Sequence, residues 1–209
     1  MAPLGRAWAR AYARGYDLLF RAIEENGLRD ARRELVGSLG GRVLEIGAGT
    51  GLNAVHYPDA VTELVLTEPE DAMAQLLERK PEAARATVVR AGADALPFPD
   101  AHFDAVVGTL VLCSVPHPEA ALAEIRRVLK PGGRLAFIEH VRSPEARTAR
   151  WQDRLNRPWR ALNVGCNCNR DTEASIRGAG LEIVEIETRR FEKMPRLASP
   201  AIVGAARAP

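Results

Sequence analysis

A doubly wound α/β sheet is the fold class this sequence predicts. Short apolar runs alternate with helical periodicity from residue 42 to the end, the pattern of strands joined by crossover helices. The first run flows directly into a glycine-rich loop, and polar residues gather where later runs end: Glu68, Asp94, Cys113, Glu139 and His140. In open parallel sheets the ligand lies outside those carboxyl ends.

Residues 7–24 repeat Trp8, Tyr12, Tyr16, Leu19, Phe20 and Ile23 at helical spacing, and a second helix runs to about Leu39, closed by Gly40 and Gly41. Strands are expected at 42–46, 62–69, 86–93, 102–112 and 134–141, with helices at 70–80 and 118–129. Pro131-Gly132-Gly133 closes the second of these helices. An arginine-rich stretch follows, then a helix over 171–180 capped by Asp171, and strands at 181–191 and 200–208.

Composition narrows the function. At 209 residues, 46% hydrophobic and 27% charged, the chain reads as one ordinary globular domain with a full core. A net charge of +2 is too small to imply nucleic acid as a partner. No apolar run approaches the roughly 20 residues that span a bilayer, and the arginine-studded N-terminus does not read as a signal peptide. Three cysteines and no export signal predict a reduced, cytoplasmic setting.

In "VLEIGAGTG", Gly47, Gly49 and Gly51 let the chain turn tightly after a strand and bring backbone close to a ligand. The spacing is G-x-G-x-G, with Asn53 near where a nicotinamide-type fingerprint has its third glycine. Glu45 precedes the loop. Glu68 ends the second strand, where a carboxylate can accept both ribose hydroxyls. Asp94 follows the third, where it can accept from an adenine amino group. Extra carboxylates suit a ligand with an adenosine, an ammonium and a sulfonium better than a pyrophosphate, and S-adenosylmethionine has all three. Taken singly, Glu68 and Glu70 also read as helix N-terminal acids, and Asp94 as a turn residue.

"VLEIGAGTG", "TEPE", "GADALPFPDAHFD" and "RVLKPGG", in this order and spacing, resemble the class I S-adenosylmethionine-dependent methyltransferases over nearly the whole chain. The resemblance implies a Rossmann-like sheet, mostly parallel with an antiparallel last strand, in a single domain. Cap helices would occupy 1–40, a cofactor-binding core 42–141, an acceptor-side lid 142–170, and a C-terminal helix and strands 171–209. It implies S-adenosylmethionine as cofactor. Glu45, Gly47, Gly49 and Gly51 would line its methionine side, Glu68 the ribose, and Asp94, Ala95 and Leu96 the adenine. Met73 would pack near the adenine, Tyr16 would cap the cofactor, and Asn53 and Pro69 would belong to the same site.

"VLCSV", "FIEHV", Trp151, Trp159, "GCN" and the final "IVGAA" further resemble the small methyltransferase-like group that includes mammalian thiol S-methyltransferases. This implies a small-molecule acceptor, a thiol first. Phospholipid amines and quinone-precursor carbons are acceptors of enzymes sharing the same cofactor motifs, and a non-catalytic cofactor-binding partner protein is the reading outside enzymology. Mammalian members carry an apolar N-terminal membrane segment that is not read here, so no transmembrane segment is expected. His140 is then the candidate catalytic base or acceptor-orienting group, oriented by Glu139; the other reading is a structural histidine bonded to a backbone carbonyl. Cys113, Tyr12, Trp151, Trp159, Cys166, Asn167 and Arg170 are the acceptor-pocket candidates. Cys113 also reads as a small buried apolar residue, and the Trp8-Tyr12-Tyr16 stripe as core packing.

The segment 142–160 is rich in arginine, and Trp151, Leu155, Trp159 and Leu162 share one side at helical spacing. This predicts a helix that either roofs the site or makes weak peripheral contact with anionic lipid; an interruption at Pro158 favours the roof. Cys166 and Cys168 raise metal, disulfide and redox readings. Cys-x-Cys with a distant Cys113 and scattered histidines has no recognisable zinc spacing, cysteines two apart rarely meet disulfide geometry, and redox pairs prefer C-x-x-C. No metal is expected. The pocket wall remains, with Cys166 as its member and Cys168 incidental.

Overall fold

The computed structural model describes residues 5–209, so residues 1–4 of the expected N-terminal segment lie outside it. Seven strands form one sheet: β1 (Gly41–Ile46), β2 (Val61–Thr67), β3 (Thr87–Val89), β4 (Phe103–Thr109), β5 (Leu129–His140), β6 (Glu182–Arg190) and β7 (Pro200–Arg207). Their order is β3-β2-β1-β4-β5-β7-β6. Pairs from β3 through β5 are parallel, and β7 is antiparallel to both its neighbours. The helices are α1 (Gly5–Ile23), α2 (Arg29–Gly37), α3 (Asp71–Leu77), α4 (Pro118–Val128), α5 (Ala146–Leu162) and α6 (Thr172–Gly178).

Consecutive apolar residues explain the central strands. Val43, Leu44 and Ile46 in β1, Val106 and Val107 in β4, and Leu135 through Ile138 in β5 are buried on both faces. That requires cover on both sides, which helices in a parallel sheet provide. Two apolar clusters result: one joins α2 and the C-terminal loop to the sheet, the other packs α4 and α6 against the opposite face. Strand order reverses between β1 and β4, and the crevice at this switch point is where such sheets take ligands.

Three departures from the expected boundaries bear on function. The first two helices form one bent rod: a wider turn over Glu24–Leu28 joins them, broken at Asn26 and at Gly27 with φ +110°. β3 stops at Val89, because it is an edge strand with β2 as its one neighbour, and its continuation peels away toward Asp94. β4 stops at Thr109, where Leu110 takes φ +60°. A fourth departure is a correction: α5 runs through Pro158 without a break to Leu162. Proline removes one N–H, and Pro158 lies on the exposed side of the helix.

Candidate active site

The glycine loop joins β1 to the short turn at Ala54–His56, and Gly47, Gly49 and Gly51 all take positive φ, at +56°, +58° and +83°. A Cβ at Gly47 would lie 2.7 Å from Val111 Cγ2, and one at Gly51 2.5 Å from Leu77 Cδ1. A Cβ at Gly49 would meet nothing within 4 Å. The loop is thus packed at its ends and open at its centre, which is where a ligand can approach backbone. Glu68 sits beside that opening. Its Oε2 accepts from the Gly49 N–H at 2.8 Å and its Oε1 from the Glu70 N–H at 2.9 Å, leaving each oxygen a further lone pair.

Glu45 lies beneath the loop, 3% exposed. Asn53 Nδ2 donates to it at 3.0 Å and the Tyr57 hydroxyl at 2.7 Å. Asn53 in turn accepts from Arg32 Nη1 at 3.0 Å, and Arg32 pairs with buried Glu24. Burial lifts the Glu45 carboxyl to about 7, against the pull of the Tyr57 and Asn53 donors and Arg32. Asp17 of α1 accepts from Thr50 Oγ1 at 2.5 Å and from Lys80 Nζ at 2.9 Å, tying α1 down over the loop. Tyr16 of α1, Glu45, Gly49, Thr50 and Thr109 line one small recess there. Asp94 and Ala95 are exposed at the adjoining sheet end, Pro69 is exposed, and Met73 and Leu96 are buried. An open glycine backbone flanked by buried carboxylates and a phenol-bearing helix fits a cationic adenosine ligand.

Beyond β4 the chain is held by Glu139. One oxygen accepts from the Val111 and Leu112 N–H groups at 2.9 and 2.8 Å, and the other from the Cys113 N–H at 3.0 Å. This corrects the expectation that Glu139 orients His140. Neighbours on a strand point to opposite faces, and Glu139 acts on the β4 loop. His140, 6% exposed, points toward Cys113 and Cys166. Its Nδ1 lies 3.7 Å from Cys113 Sγ and 3.4 Å from Cys166 Sγ, and its Nε2 lies 3.2 Å from Met194 Sδ. The two sulfurs are 3.9 Å apart. The neighbouring Cys166 thiol and burial together push the Cys113 thiol far up. The Tyr12 phenol is raised to about 12, chiefly by burial and further by Cys166 and Cys113.

A model of the methyltransferase domain family matches residues 44–137. The thiol S-methyltransferase TMT1B of Rattus norvegicus is 35% identical over 78% of this chain and 69% of its own length. The human thiol S-methyltransferase TMT1A is 32% identical over 88% of this chain and 81% of its own. This chain is a class I S-adenosylmethionine-dependent methyltransferase. Phosphatidylethanolamine N-methyltransferase of Cereibacter sphaeroides is 33% identical over 64% of the chain and 68% of its own length. Among solved structures, a methyltransferase from Thermotoga maritima described as a possible histamine N-methyltransferase superposes with a TM-score of 0.73 at 21% identity, covering 97% of this chain and 99% of its own.

The methyltransferase uses S-adenosylmethionine, and its acceptor-side candidates divide. Cys113, Cys166 and His140 come together, with Tyr12 close by. Asn167 and Arg170 instead clamp backbone: Asn167 donates from its N–H to the Cys113 carbonyl at 2.7 Å, and Arg170 donates to the Leu112 and Val115 carbonyls. Trp159 packs on the core beside the cluster. Trp151 is 49% exposed, with Arg154 over its ring. It does not wall the pocket, because α5 turns that side outward. Cys168 is buried outside the cluster, its thiol lifted to about 11, mainly by burial. Cys113, Cys166 and His140 have no recognisable zinc spacing along the chain, yet their donor atoms all lie within 4.8 Å of one another. Residues missed by the sequence reading include Arg32, Tyr57, Met194 and Gln152. Gln152 is fully buried; it donates to the Val141, Cys168 and Leu197 carbonyls and accepts from the Ser143 N–H. None carries a local signal, since each reads as an ordinary helix or loop residue.

Proposed function

We propose that this methyltransferase methylates the sulfur of a small thiol, as a cytoplasmic enzyme. The observation that carries the reading is the chemistry of the Cys113–His140–Cys166 cluster. It offers sulfur and imidazole nitrogen, and no carboxylate, because both Glu139 oxygens are spent on backbone N–H groups. An ammonium-bearing acceptor would lack a counter-charge there, whereas a thiol needs only a proton acceptor near its usual range. The similarity to two named thiol S-methyltransferases supports the same reading. Bound S-adenosylmethionine supplies an electrophilic methyl group on its sulfonium sulfur. The chain contributes position and electrostatics. Glu68 holds the ribose side, Glu45 and the glycine loop face the methionine side, and α1 with Tyr16 and Tyr12 excludes water. His140 Nε2 lies 3.2 Å from Met194 Sδ, and in the tautomer that carries the proton there the Nδ1 lone pair faces the thiols and takes the acceptor's proton. Incubating the chain with labelled cofactor and a panel of alkyl thiols tests this: thioethers are expected, and none across the panel overturns it.

A second reading has a specific observation behind it. The unbroken α5 exposes Trp151, Leu155 and Leu162 beside exposed Arg147, Arg150, Arg154 and Arg157. Apolar and basic stripes side by side suit an anionic lipid surface, so the acceptor would be drawn from a membrane. No helix among the described residues is long and apolar enough to cross one.

A further inference from the structure

We propose that Cys113, His140 and Cys166 form a binding site for a thiophilic divalent ion of the zinc class, with a fourth position left open to the acceptor thiol. The three side chains come from three separate places: the loop after β4, the last residue of β5, and the turn after α5. Among the described residues they are the group of this kind whose donor atoms all lie within 4.8 Å of one another.

The spacing is that of a ligand set. Zinc binds thiolate sulfur at about 2.3 Å and imidazole nitrogen at about 2.0–2.1 Å. Tetrahedral angles then put sulfurs about 3.8 Å apart and sulfur and nitrogen about 3.6 Å apart. The corresponding separations are 3.9 Å for the sulfurs and 3.7 and 3.4 Å for sulfur to nitrogen. The sulfurs are too far apart to be bonded, and all three cysteines are free.

The surroundings hold the donors in this arrangement. His140 Nε2 lies 3.2 Å from Met194 Sδ. An N–H on Nε2 leaves the Nδ1 lone pair turned toward the two sulfurs, the outer-partner arrangement that fixes the tautomer of ligating histidines. The Cys113 loop is pinned by the Glu139 carboxylate through three N–H groups. The Cys166 turn is pinned to that loop by the Asn167 N–H on the Cys113 carbonyl. Gly165, at φ +93°, packs so closely that a Cβ would lie 2.9 Å from the Ser114 carbonyl oxygen. Charge also balances: a divalent ion displaces one proton from each thiol, and two thiolates with a neutral imidazole leave the buried site without net charge.

Three protein ligands and one open position mark catalytic rather than structural zinc sites. With the ion bound, His140 Nδ1 is a ligand and no longer the proton acceptor; a thiol that takes the open position forms a sulfur–metal bond and releases its proton to solvent, so it is held as the thiolate near neutral pH. This last step rests on the thiol reading above; the three-ligand site does not.

The test titrates the reduced full chain with cobalt(II) under anaerobic conditions. Binding of one cobalt per chain is expected, with sulfur-to-cobalt charge transfer in the near ultraviolet, four-coordinate bands in the visible, and displacement by zinc. Cys113→Ser and Cys166→Ser should each weaken binding and diminish the sulfur-to-cobalt charge-transfer band, and Cys168→Ser should leave both unchanged. Binding of S-adenosylhomocysteine shows that each variant is folded. Should a serine variant fail that check, X-ray absorption of the zinc-loaded wild type decides, with two sulfurs and one nitrogen expected around the metal. Absence of the charge-transfer band in a chain that binds S-adenosylhomocysteine overturns the site. Addition of ethanethiol should shift the visible bands, and unmoved bands overturn the open position. Thioether formation is assayed in parallel. Thioether without cobalt binding refutes the metal site alone, and cobalt binding without thioether refutes the thiol reading alone.

Discussion

Glu139→Gln tests the role the structure gives this residue. The carboxylate is fully buried and accepts from three consecutive N–H groups over Val111–Cys113. Glutamine retains one oxygen, enough for the pair at 2.9 and 2.8 Å, and turns an NH2 group toward the Cys113 N–H. That N–H loses its acceptor in a dry site, a loss of about 1–3 kcal/mol. In a chain of this size each kcal/mol moves the melting temperature by about 2–4 °C, so a mid-range loss of about 2 kcal/mol lowers it by about 4–8 °C. Burial pushes the Glu139 carboxyl well up while its three N–H partners oppose that shift, so the displaced atom, more than the lost charge, governs the loss. Methyl transfer should fall as well, because the same loop carries Cys113. Thermal melting followed by far-ultraviolet circular dichroism, with S-adenosylhomocysteine affinity measured alongside, reads the effect. A variant that melts like the wild type while its activity profile shifts along the pH axis would refute this account and restore Glu139 as a partner of His140.

Other perturbations follow from the same geometry. Glu45, held up at about 7, is protonated below that pH, so binding a cationic cofactor beside it expels a proton. Cofactor affinity should drop by up to about tenfold per pH unit below 7 and level off above it, and calorimetry should find this dependence lost in Glu45→Gln. The same elevated value means that the Glu45 contribution to stability is fully present below the ordinary carboxylate range and is lost as pH rises through about 7, which the difference between wild type and Glu45→Gln in denaturation at several pH values will show. Asp17→Ala releases the ties from α1 to Thr50 and Lys80 and should weaken cofactor binding severalfold while leaving the far-ultraviolet spectrum unchanged. Cys168→Ser should leave thioether formation intact, whereas Cys166→Ser should reduce it; equal losses would contradict the placement of the two side chains. If α5 docks on lipid, Trp151→Ser with Leu155→Ser should abolish co-sedimentation with anionic vesicles, and a wild-type chain that stays in the supernatant removes that reading.

The sheet was legible in the sequence because its signals are local. "RVLEI" is apolar on consecutive positions, so it predicts a strand covered on both faces, and the glycines after it predict the turn that Gly47, Gly49 and Gly51 make. The ends of elements were harder to read. β4 stops at Thr109 because Glu139, 28 residues beyond Val111, captures the next N–H groups, and periodicity carries no record of so distant an acceptor. Arg32 resembles a surface arginine of an amphipathic helix, yet it is buried on Glu24 and Asn53 beneath the glycine loop. Cys113, His140 and Cys166 each stand out in the sequence, but their meeting depends on β4 lying beside β5 and on the turn after α5 folding back over both. Cys166 stands 53 residues from Cys113 along the chain, and spacing rules for metal or redox motifs describe ligands much closer than that. Pro158 misled for the opposite reason: a local rule about helix interruption was outweighed by one tolerated lost N–H on an exposed helix side.

A one-pot competition decides which atom the enzyme methylates. The enzyme receives cofactor carrying a deuterated methyl group, with equimolar alkyl thiol, alkyl amine and phenol of matched chain length, and mass spectrometry identifies the labelled products. Labelled thioether is expected in dominant yield, formed in step with S-adenosylhomocysteine and sharply reduced in His140→Ala. Label on the amine or the phenol with no thioether would contradict it.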